Sequence, residues 1–113
     1  MTAELKIEDL QPGEGKAAKR GSLITAHYRG WLEDGTEFDS SYQHGAAFEV
    51  VLSNNRLIQG WILGLQGMQV GGKRRLWVPA ALAYGERQIG NKIPPQANLI
   101  FEIELLDVKN RDD

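Results

Sequence analysis

The chain has 113 residues, of which 42% are hydrophobic and 25% are charged, and its formal net charge is −2. That length fits a single domain, residues 1–113, and the composition is that of soluble globular proteins. A slightly acidic chain is a poor candidate for a nucleic-acid-binding protein, which is usually clearly basic. The sequence contains no cysteine, which excludes disulfides, thiolate nucleophiles and zinc–thiolate sites.

Neither a targeting signal nor a membrane span is predicted. The first seven residues contain no basic segment that leads into an apolar stretch, and no segment is long and apolar enough to cross a bilayer. We therefore expect a cytoplasmic protein with no membrane partner. The charged tail, residues 109–113, is expected to fray.

Short segments of alternating apolar and polar residues, separated by Gly and Pro, indicate strands along the first half of the chain. The predicted strands are residues 5–10, 22–32, 36–40 and 48–52. Tyr28 lies on the apolar face of the second strand, and Asp34-Gly35 predicts a tight hairpin turn to the third. Phe38 then lies on one face of the third strand, and Asp39 lies at its end.

One helix is predicted, over residues 56–65. Its apolar residues recur at helical spacing and form one stripe: Leu57, Ile58, Trp61 and Leu65. Asn54-Asn55 precede the helix as capping candidates. Gly60 and Gly64 lower the helix propensity, so the packing of the stripe must hold the helix.

Strands return in the second half of the chain, at Lys73–Val78 and at residues 97–108, where Phe101 is one of four residues that face inward. Residues 80–96 lack periodicity and predict a long surface loop between these strands. The sheet must bury its apolar face, and the predicted helix is the only cover for it. The fold class is therefore α+β, a curved antiparallel β-sheet wrapped around one short α-helix.

Two motifs suggest other functions, but neither is sufficient. Residues 67–73 match the first seven positions of a P-loop, yet Arg74 stands where Ser or Thr should bind magnesium, and a strand follows instead of a helix. His27 and His44, without cysteine, make a poor metal site, and no nucleophile motif accompanies them. We therefore expect neither a metal nor a cofactor.

Two further features concern the surface of the sheet. The basic run Lys73-Arg74-Arg75 favours a solvated sheet edge over a phosphate contact. Trp77 and Trp31 are expected to face away from the helix. An exposed aromatic pair would suggest a partner contact, whereas a partly covered strand face is the simpler explanation.

Five groups of segments, in order along the chain, carry a family resemblance. They are Tyr28-Arg29-Gly30 with residues 32–41, Leu57-Ile58-Gln59-Gly60-Trp61, Gly67-Met68 with Val70-Gly71, Ala83-Tyr84-Gly85 with Ile93-Pro94-Pro95, and residues 99–106. This set resembles the FKBP family of peptidyl-prolyl cis-trans isomerases in its minimal, bacterial-like form. The resemblance implies a monomeric isomerase that acts on prolyl peptides and proteins without a cofactor and that binds macrolides of the rapamycin type.

The resemblance also implies an apolar pocket between the helix and the sheet. Its implied ligand-binding residues are Tyr28, Phe38, Asp39, Phe48, Arg56, Leu57, Ile58, Trp61, Tyr84, Ile93 and Phe101. The implied catalytic residues are Asp39, Tyr84, Phe38 and Trp61. Trp61 would form the floor of the pocket. The Ile58 backbone N–H and the Tyr84 hydroxyl would donate hydrogen bonds to the bound carbonyl.

The rim of the implied pocket departs from the family pattern. His44 stands where many members carry arginine, and it would be a weaker, pH-dependent partner for the pocket carboxylate. Arg56 replaces a common glutamate or glutamine. Ile89 and Lys92 replace a frequent histidine-proline and an isoleucine. We expect these departures to affect substrate preference and drug affinity.

Two other functions remain as alternatives. A module could bind proline or macrolides in the same pocket with little turnover; the intact pocket disfavours this reading and the altered rim favours it slightly. A folding helper of the chaperone type needs an extra domain, and the loop over residues 84–93 is too short to hold one. Isomerisation itself needs no nucleophile, since only rotation about the X–Pro bond is required.

Overall fold

The computed structural model describes residues 4–53 and 57–110. Within these residues the chain forms six strands and one α-helix: β1 (Lys6–Gln11), β2 (Leu23–Leu32), β3 (Glu37–Ser40), β4 (Phe48–Val51), α1 (Gln59–Gly64), β5 (Lys73–Val78) and β6 (Leu99–Lys109). The strands form one antiparallel sheet in the order β1-β5-β6-β2-β3, and β4 also pairs with β2. The predicted α+β fold is confirmed.

Strand β2 organises the sheet because it pairs with β6 along its whole length and shares its other edge between two strands. Leu23–Ala26 pair with β4, and residues 29–31 pair with β3. Between these two partners, residues 41–47 leave the sheet. Ser41 closes the gap in the pairing: its hydroxyl accepts the Tyr28 N–H at 2.9 Å, and its own N–H donates to the Tyr28 carbonyl at 3.0 Å.

The predicted alternation of β6 is confirmed. Its inward residues, Leu99, Phe101, Ile103 and Leu105, are all buried, and they pack with buried residues of β2 and α1 in one core. Glu102 lies on the opposite face, where its carboxylate pairs with Arg75 of β5. The period-2 pattern therefore places one face of the sheet against the helix and the other face toward water.

The helix lies close to β5 because two glycines form the face that meets the strand. A Cβ at Gly60 would come within 2.4 Å of Val78 Cγ1, and a Cβ at Gly64 would come within 2.8 Å of the Leu76 methyl carbons. Both glycines are buried. The low helix propensity of glycine is thus offset by close packing of α1 on the sheet.

The predicted start of the helix is wrong. The helix begins at Gln59, and Ile58 precedes it with extended backbone angles (φ −65°, ψ 152°) and no side-chain cap. Leu57 and Ile58, predicted on the first turn, instead lie before the helix and are half-buried. The capping candidates Asn54-Asn55 lie outside the described residues.

Arg74 contradicts the prediction that the basic run is a solvated edge. Only 11% of its side chain is exposed. Its guanidinium donates to the Gly64 carbonyl at 2.8 Å, to the Gln66 carbonyl at 3.3 Å, and to Asp9 at 2.7 Å. Arg74 therefore satisfies carbonyl groups that the end of α1 leaves without helical partners.

Trp31 and Trp77 lie on the sheet face opposite the helix, as predicted, and both are half-buried. Cationic side chains cover them: Arg29 lies 5.1 Å from the Trp31 ring centroid, and Lys6 and Arg75 lie 4.9 and 5.7 Å from that of Trp77. The partly covered strand face, the simpler of the two explanations, is confirmed.

The described residues contain neither a membrane-spanning helix nor a cluster of metal ligands. No helix among residues 4–53 and 57–110 has the length and apolarity needed to cross a membrane. In the same part of the chain, no three His, Asp or Glu side chains are grouped so that they could hold a metal ion.

The close approach of α1 and β5 predicts the effect of a single methyl group. Gly60→Ala should lower the free energy of unfolding by about 1–3 kcal/mol, because the added carbon overlaps the stiff side chain of Val78. This loss should exceed the gain of up to about 1 kcal/mol that alanine brings to a helix. Urea denaturation measures the difference.

Gly64→Ala is the matched control for this prediction. Its new methyl group would meet the ends of the Leu76 side chain, which can rotate away, so its loss of stability should be smaller. A Gly60→Ala protein as stable as the unmodified one would contradict the proposed role of glycine in the packing.

Candidate active site

A cavity of about 590 Å³ lies between α1 and the concave face of the sheet. Its lining residues are Tyr28, Phe38, Asp39, Phe48, Leu57, Ile58, Gln59, Trp61, Ala83, Tyr84, Arg87 and Phe101. Nine of the predicted ligand-binding residues are among them, including all four of the predicted catalytic residues. A concave, mostly apolar cavity with a few polar groups is the usual form of a small-ligand site.

Trp61 lies at the centre of the aromatic lining. It is 4% exposed, and three rings meet it edge to face: Tyr28 at 5.5 Å, Phe101 at 5.5 Å and Phe48 at 6.0 Å between centroids. Such T-shaped pairs are the arrangement that aromatic quadrupoles favour. The strands β2, β4 and β6 each contribute one of these rings, so the sheet fixes the indole from three sides.

Phe38 completes the lining beside Phe101, with which it makes an edge-to-face pair at 5.7 Å. Two features of the neighbouring strands make room for it. The register of β2 and β3 shifts between Gly30 and Trp31, so that Phe38 is an extra residue in the pairing. In addition, a Cβ at Gly30 would come within 2.6 Å of the Phe38 ring. The bulge lets Phe38 and the next residue, Asp39, line the same cavity.

The Asp39 carboxylate lies at the rim of the cavity with both oxygens engaged. The Tyr28 hydroxyl donates to Oδ2 at 2.7 Å, while Oδ1 accepts the Ser40 N–H at 2.9 Å and lies 2.9 Å from His44 Nε2. Burial acts to raise the pKa of Asp39, but hydrogen bonds from Tyr28, His44 and the Ser40 N–H outweigh it, so the pKa lies below its usual value. Burial, and then the bond to Asp39, raise the pKa of Tyr28.

Tyr84 brings the second hydroxyl into the cavity. Burial raises the pKa of Tyr84, and the Asp39 charge raises it further, so the phenol stays protonated as a donor. No partner accepts from its hydroxyl among residues 4–53 and 57–110. The Ile58 N–H likewise donates to no acceptor within those ranges. These two groups, which are predicted to hold a bound carbonyl, both border the cavity.

Of the predicted ligand-binding residues that the structure describes, Ile93 alone does not line this cavity. Ile93 is 4% exposed and belongs to the core. It lines a second cavity of about 480 Å³, which lies on the other side of Phe38. Arg56 lies outside the described residues.

Three lining residues were not predicted: Gln59, Ala83 and Arg87. Gln59 and Ala83 lie inside the motifs that carry the family resemblance, so their sequence positions pointed to the site. Arg87 lies two residues beyond Gly85, which turns the chain at φ +60°. A surface loop without periodicity gives no signal of which way such a side chain points.

The arrangement is suited to holding an apolar ring and one carbonyl group. Within the cavity lining, the charged side chains are Asp39 and Arg87, and the Asp39 oxygens are already engaged. No lining side chain is an activated nucleophile of the Ser–His or Cys–His kind. The site is therefore built to bind and orient a ligand without forming a covalent bond to it.

Comparison with known proteins decides the family. The family model described as FKBP-type peptidyl-prolyl cis-trans isomerase matches residues 14–106. This chain belongs to that family. The crystal structure of AtFKBP13 shares the fold with a TM-score of 0.84 and 41% identity, and the match covers 93% of each chain.

Relatives of known name support the same assignment. The FK506-binding protein of Neisseria meningitidis serogroup A is 52% identical over 104 residues, which cover 92% of this chain and 95% of that protein. The peptidyl-prolyl cis-trans isomerase FPR2 of Saccharomyces cerevisiae is 49% identical over 94 residues, or 82% of this chain and 70% of that one. This FKBP chain is accordingly an isomerase by family.

The hydrogen bond from Tyr28 to Asp39 predicts how the stability of this FKBP depends on pH. Tyr28→Phe removes one donor to Asp39, so the Asp39 pKa should rise toward its usual value of about 3.9. A depressed carboxyl pKa stabilises the fold above the unfolded-state value, and that stability is lost as pH falls through the folded-state value. The variant should therefore lose more stability near neutral pH than below the folded-state pKa.

Carbon-13 NMR titration of the Asp39 carboxyl group, with unfolding at several pH values, measures both effects. Tyr42→Phe is the matched control, because the Tyr42 ring is exposed and stacks on His27 at 4.7 Å, away from the carboxylate. An unchanged Asp39 titration in Tyr28→Phe would show that this hydrogen bond does not hold the pKa down.

Proposed function

We propose that this FKBP-family protein speeds the rotation of X–Pro bonds in protein chains and so assists their folding. We further propose that macrolides of the rapamycin type bind in the same cavity and block it. The observation that carries the proposal is the aromatic cavity, in which three rings hold Trp61 edge to face. Two hydrogen-bond donors that have no protein acceptor in the described chain border this cavity.

The physical task sets what the cavity must do. Rotation about an X–Pro bond faces a barrier of about 18–20 kcal/mol, because resonance gives the C–N bond partial double-bond character. The planar amide is more polar than the twisted transition state, in which that resonance is lost. A dry, apolar cavity therefore favours the transition state over the ground state, and each ~1.4 kcal/mol of difference gives a tenfold change in rate.

Particular residues have distinct roles in this proposal. The prolyl ring packs over Trp61, and the Ile58 N–H and the Tyr84 hydroxyl hold the carbonyl of the substrate in place. Phe38 excludes water from the side of β3. Asp39 acts as a positioning residue, because its bonds to Tyr28 and His44 join the strand and loop walls of the cavity.

The names of two relatives support the part of the proposal that concerns ligands. The Neisseria meningitidis relative at 52% identity and the Candida glabrata relative at 46% identity are both named for binding FK506, a macrolide. The aromatic residues expected to bind such a ligand all lie in the cavity of this chain. His44 and Lys92 depart from the family pattern nearby, so macrolide affinity is where we expect this protein to differ.

An NMR exchange assay tests the proposal directly. The protein should speed cis–trans exchange of peptides with an apolar residue before proline, and rapamycin should abolish the effect. Trp61→Phe should lower kcat/KM several-fold, because the smaller ring leaves the prolyl ring without its packing surface. Trp77→Phe is the matched control on the opposite sheet face and should retain full activity.

Exchange at the uncatalysed rate would refute the proposal. If rapamycin still bound with high affinity, the protein would instead be a module that binds proline or macrolides with little turnover. Tight binding without exchange thus identifies the alternative function. The altered rim of the cavity, at His44 for example, would then be the first place to seek the cause of the low turnover.

Two properties stay predictions from the sequence, namely a monomeric state and a cytoplasmic location. Light scattering with size-exclusion chromatography measures the first, and fractionation of the source cells measures the second. A dimer in solution would require revision of the minimal single-domain description.

A further inference from the structure

The flap, residues 86–93, carries two exposed cationic side chains, Arg87 and Lys92. Backbone hydrogen bonds give this segment a defined shape: Arg87 N–H donates to the Tyr84 carbonyl at 3.1 Å, and Ile89 N–H donates to the Ile93 carbonyl at 2.9 Å. Neither cation has a carboxylate partner within residues 4–53 and 57–110. The two charges therefore remain available to a ligand.

Arg87 and Lys92 face different cavities. Arg87 lines the aromatic cavity together with Ala83 and Tyr84. Burial and the Asp39 charge raise the pKa of the Tyr84 phenol, and the positive charge of Arg87 acts to lower this pKa. Lys92 lines the second cavity, beyond Phe38. The same segment thus presents one cation to the aromatic cavity and one to the second cavity.

The acidic groups near Arg87 do not form an ion pair with it. Asp39, the acidic residue that lines the same cavity, accepts hydrogen bonds from Tyr28 and the Ser40 N–H and contacts His44. Glu86, the chain neighbour of Arg87, accepts a hydrogen bond from Gln96 at 3.2 Å. Within the cavity lining, the carboxylate of Asp39 has both oxygens engaged, whereas the Arg87 guanidinium is available to an anionic side chain of a substrate.

We propose that Arg87 is a specificity-determining residue that favours substrates with an acidic side chain beside the prolyl bond. The proposal rests on the proposed isomerase function and adds a substrate class to it. The Arg87 guanidinium pairs with a glutamate or aspartate adjacent to the bound proline while the ring occupies the aromatic cavity. Arg87 touches the substrate but takes no part in the rotation, so its effect lies on substrate selection and not on the barrier.

The expected size of the preference is modest because Arg87 is exposed to solvent. Ion pairs at exposed positions correspond to roughly a two- to fivefold change in affinity at low salt, and salt screens them. We therefore expect kcat/KM for a glutamate-containing peptide to exceed that for its glutamine counterpart by roughly two- to fivefold. The preference should shrink in 0.5 M sodium chloride, where the screening length is only about 4–5 Å.

The test compares paired peptides by NMR exchange, which requires no coupling protease. The peptides carry glutamate or glutamine immediately before the proline or immediately after it. Arg87→Gln should reduce the glutamate-to-glutamine ratio of kcat/KM to about one at the position where the unmodified protein shows its preference, and this ratio, not the activity on either peptide alone, is the readout. Lys92→Gln removes the same charge from the same flap and should retain the preference.

The outcomes separate this inference from the proposed function. If the neutral peptides are not isomerised at all, the proposed function fails. If they are isomerised but the glutamate-to-glutamine ratio is the same in Arg87→Gln as in the unmodified protein, the specificity role of Arg87 is overturned. If Lys92→Gln loses the preference to the same extent, the preference arises from the total charge of the flap. The assignment to Arg87 is then likewise overturned.

Discussion

The edge-to-face packing of Trp61 is the interaction on which both the core and the site depend. The indole is nearly buried and meets rings from β2, β4 and β6, so it joins the helix to three strands of the sheet. The same ring forms the base of the cavity. The helix that carries the indole lies close to β5, because Gly60 and Gly64 form the face that meets this strand. A looser helix would change the shape of the cavity as well as the stability of the fold.

The polar groups of the cavity are arranged around this apolar base so that most of them are already satisfied. Asp39 is held by Tyr28 from β2 and by His44 from the loop between β3 and β4, which fixes two walls relative to each other. The Tyr84 hydroxyl and the Ile58 N–H are exceptions, since neither has a protein acceptor in the described chain. A site of this kind offers a ligand one dry surface and a few oriented donors. Those are the features that X–Pro rotation requires.

Much of this arrangement could be predicted from residue patterns. The alternation in β6 placed Phe101 in the core, and the helical spacing placed Trp61 on the buried face of α1. The start of the helix could not be predicted, because the apolar stripe includes Leu57 and Ile58, which line the cavity from the segment that precedes the helix. Periodicity registers that a residue is apolar, but it does not distinguish a residue that packs on the sheet from one that lines a ligand site.

Tertiary contacts account for the other differences. The bulge that lets Phe38 and Asp39 share a cavity arises from the register of β2 against β3, which no local pattern encodes. The burial of Arg74 depends on carbonyl groups at the end of α1, ten residues earlier in the chain. The position of Arg87 depends on a turn in a loop without periodicity. In each case the deciding partner is distant in sequence or lies in an irregular segment.

The central claim is that the cavity lowers the rotational barrier by its shape and dryness, with its donors serving to hold the ligand. Tyr84→Phe tests this claim most directly, because it removes one hydroxyl and leaves the ring that lines the cavity. The hydroxyl would bind the carbonyl equally in the ground and transition states, so its loss should raise KM and the Kd for rapamycin by roughly two- to tenfold and leave kcat near that of the unmodified protein. A fall in kcat as large as the loss of affinity would contradict the claim, because the hydroxyl would then be acting in the transition state.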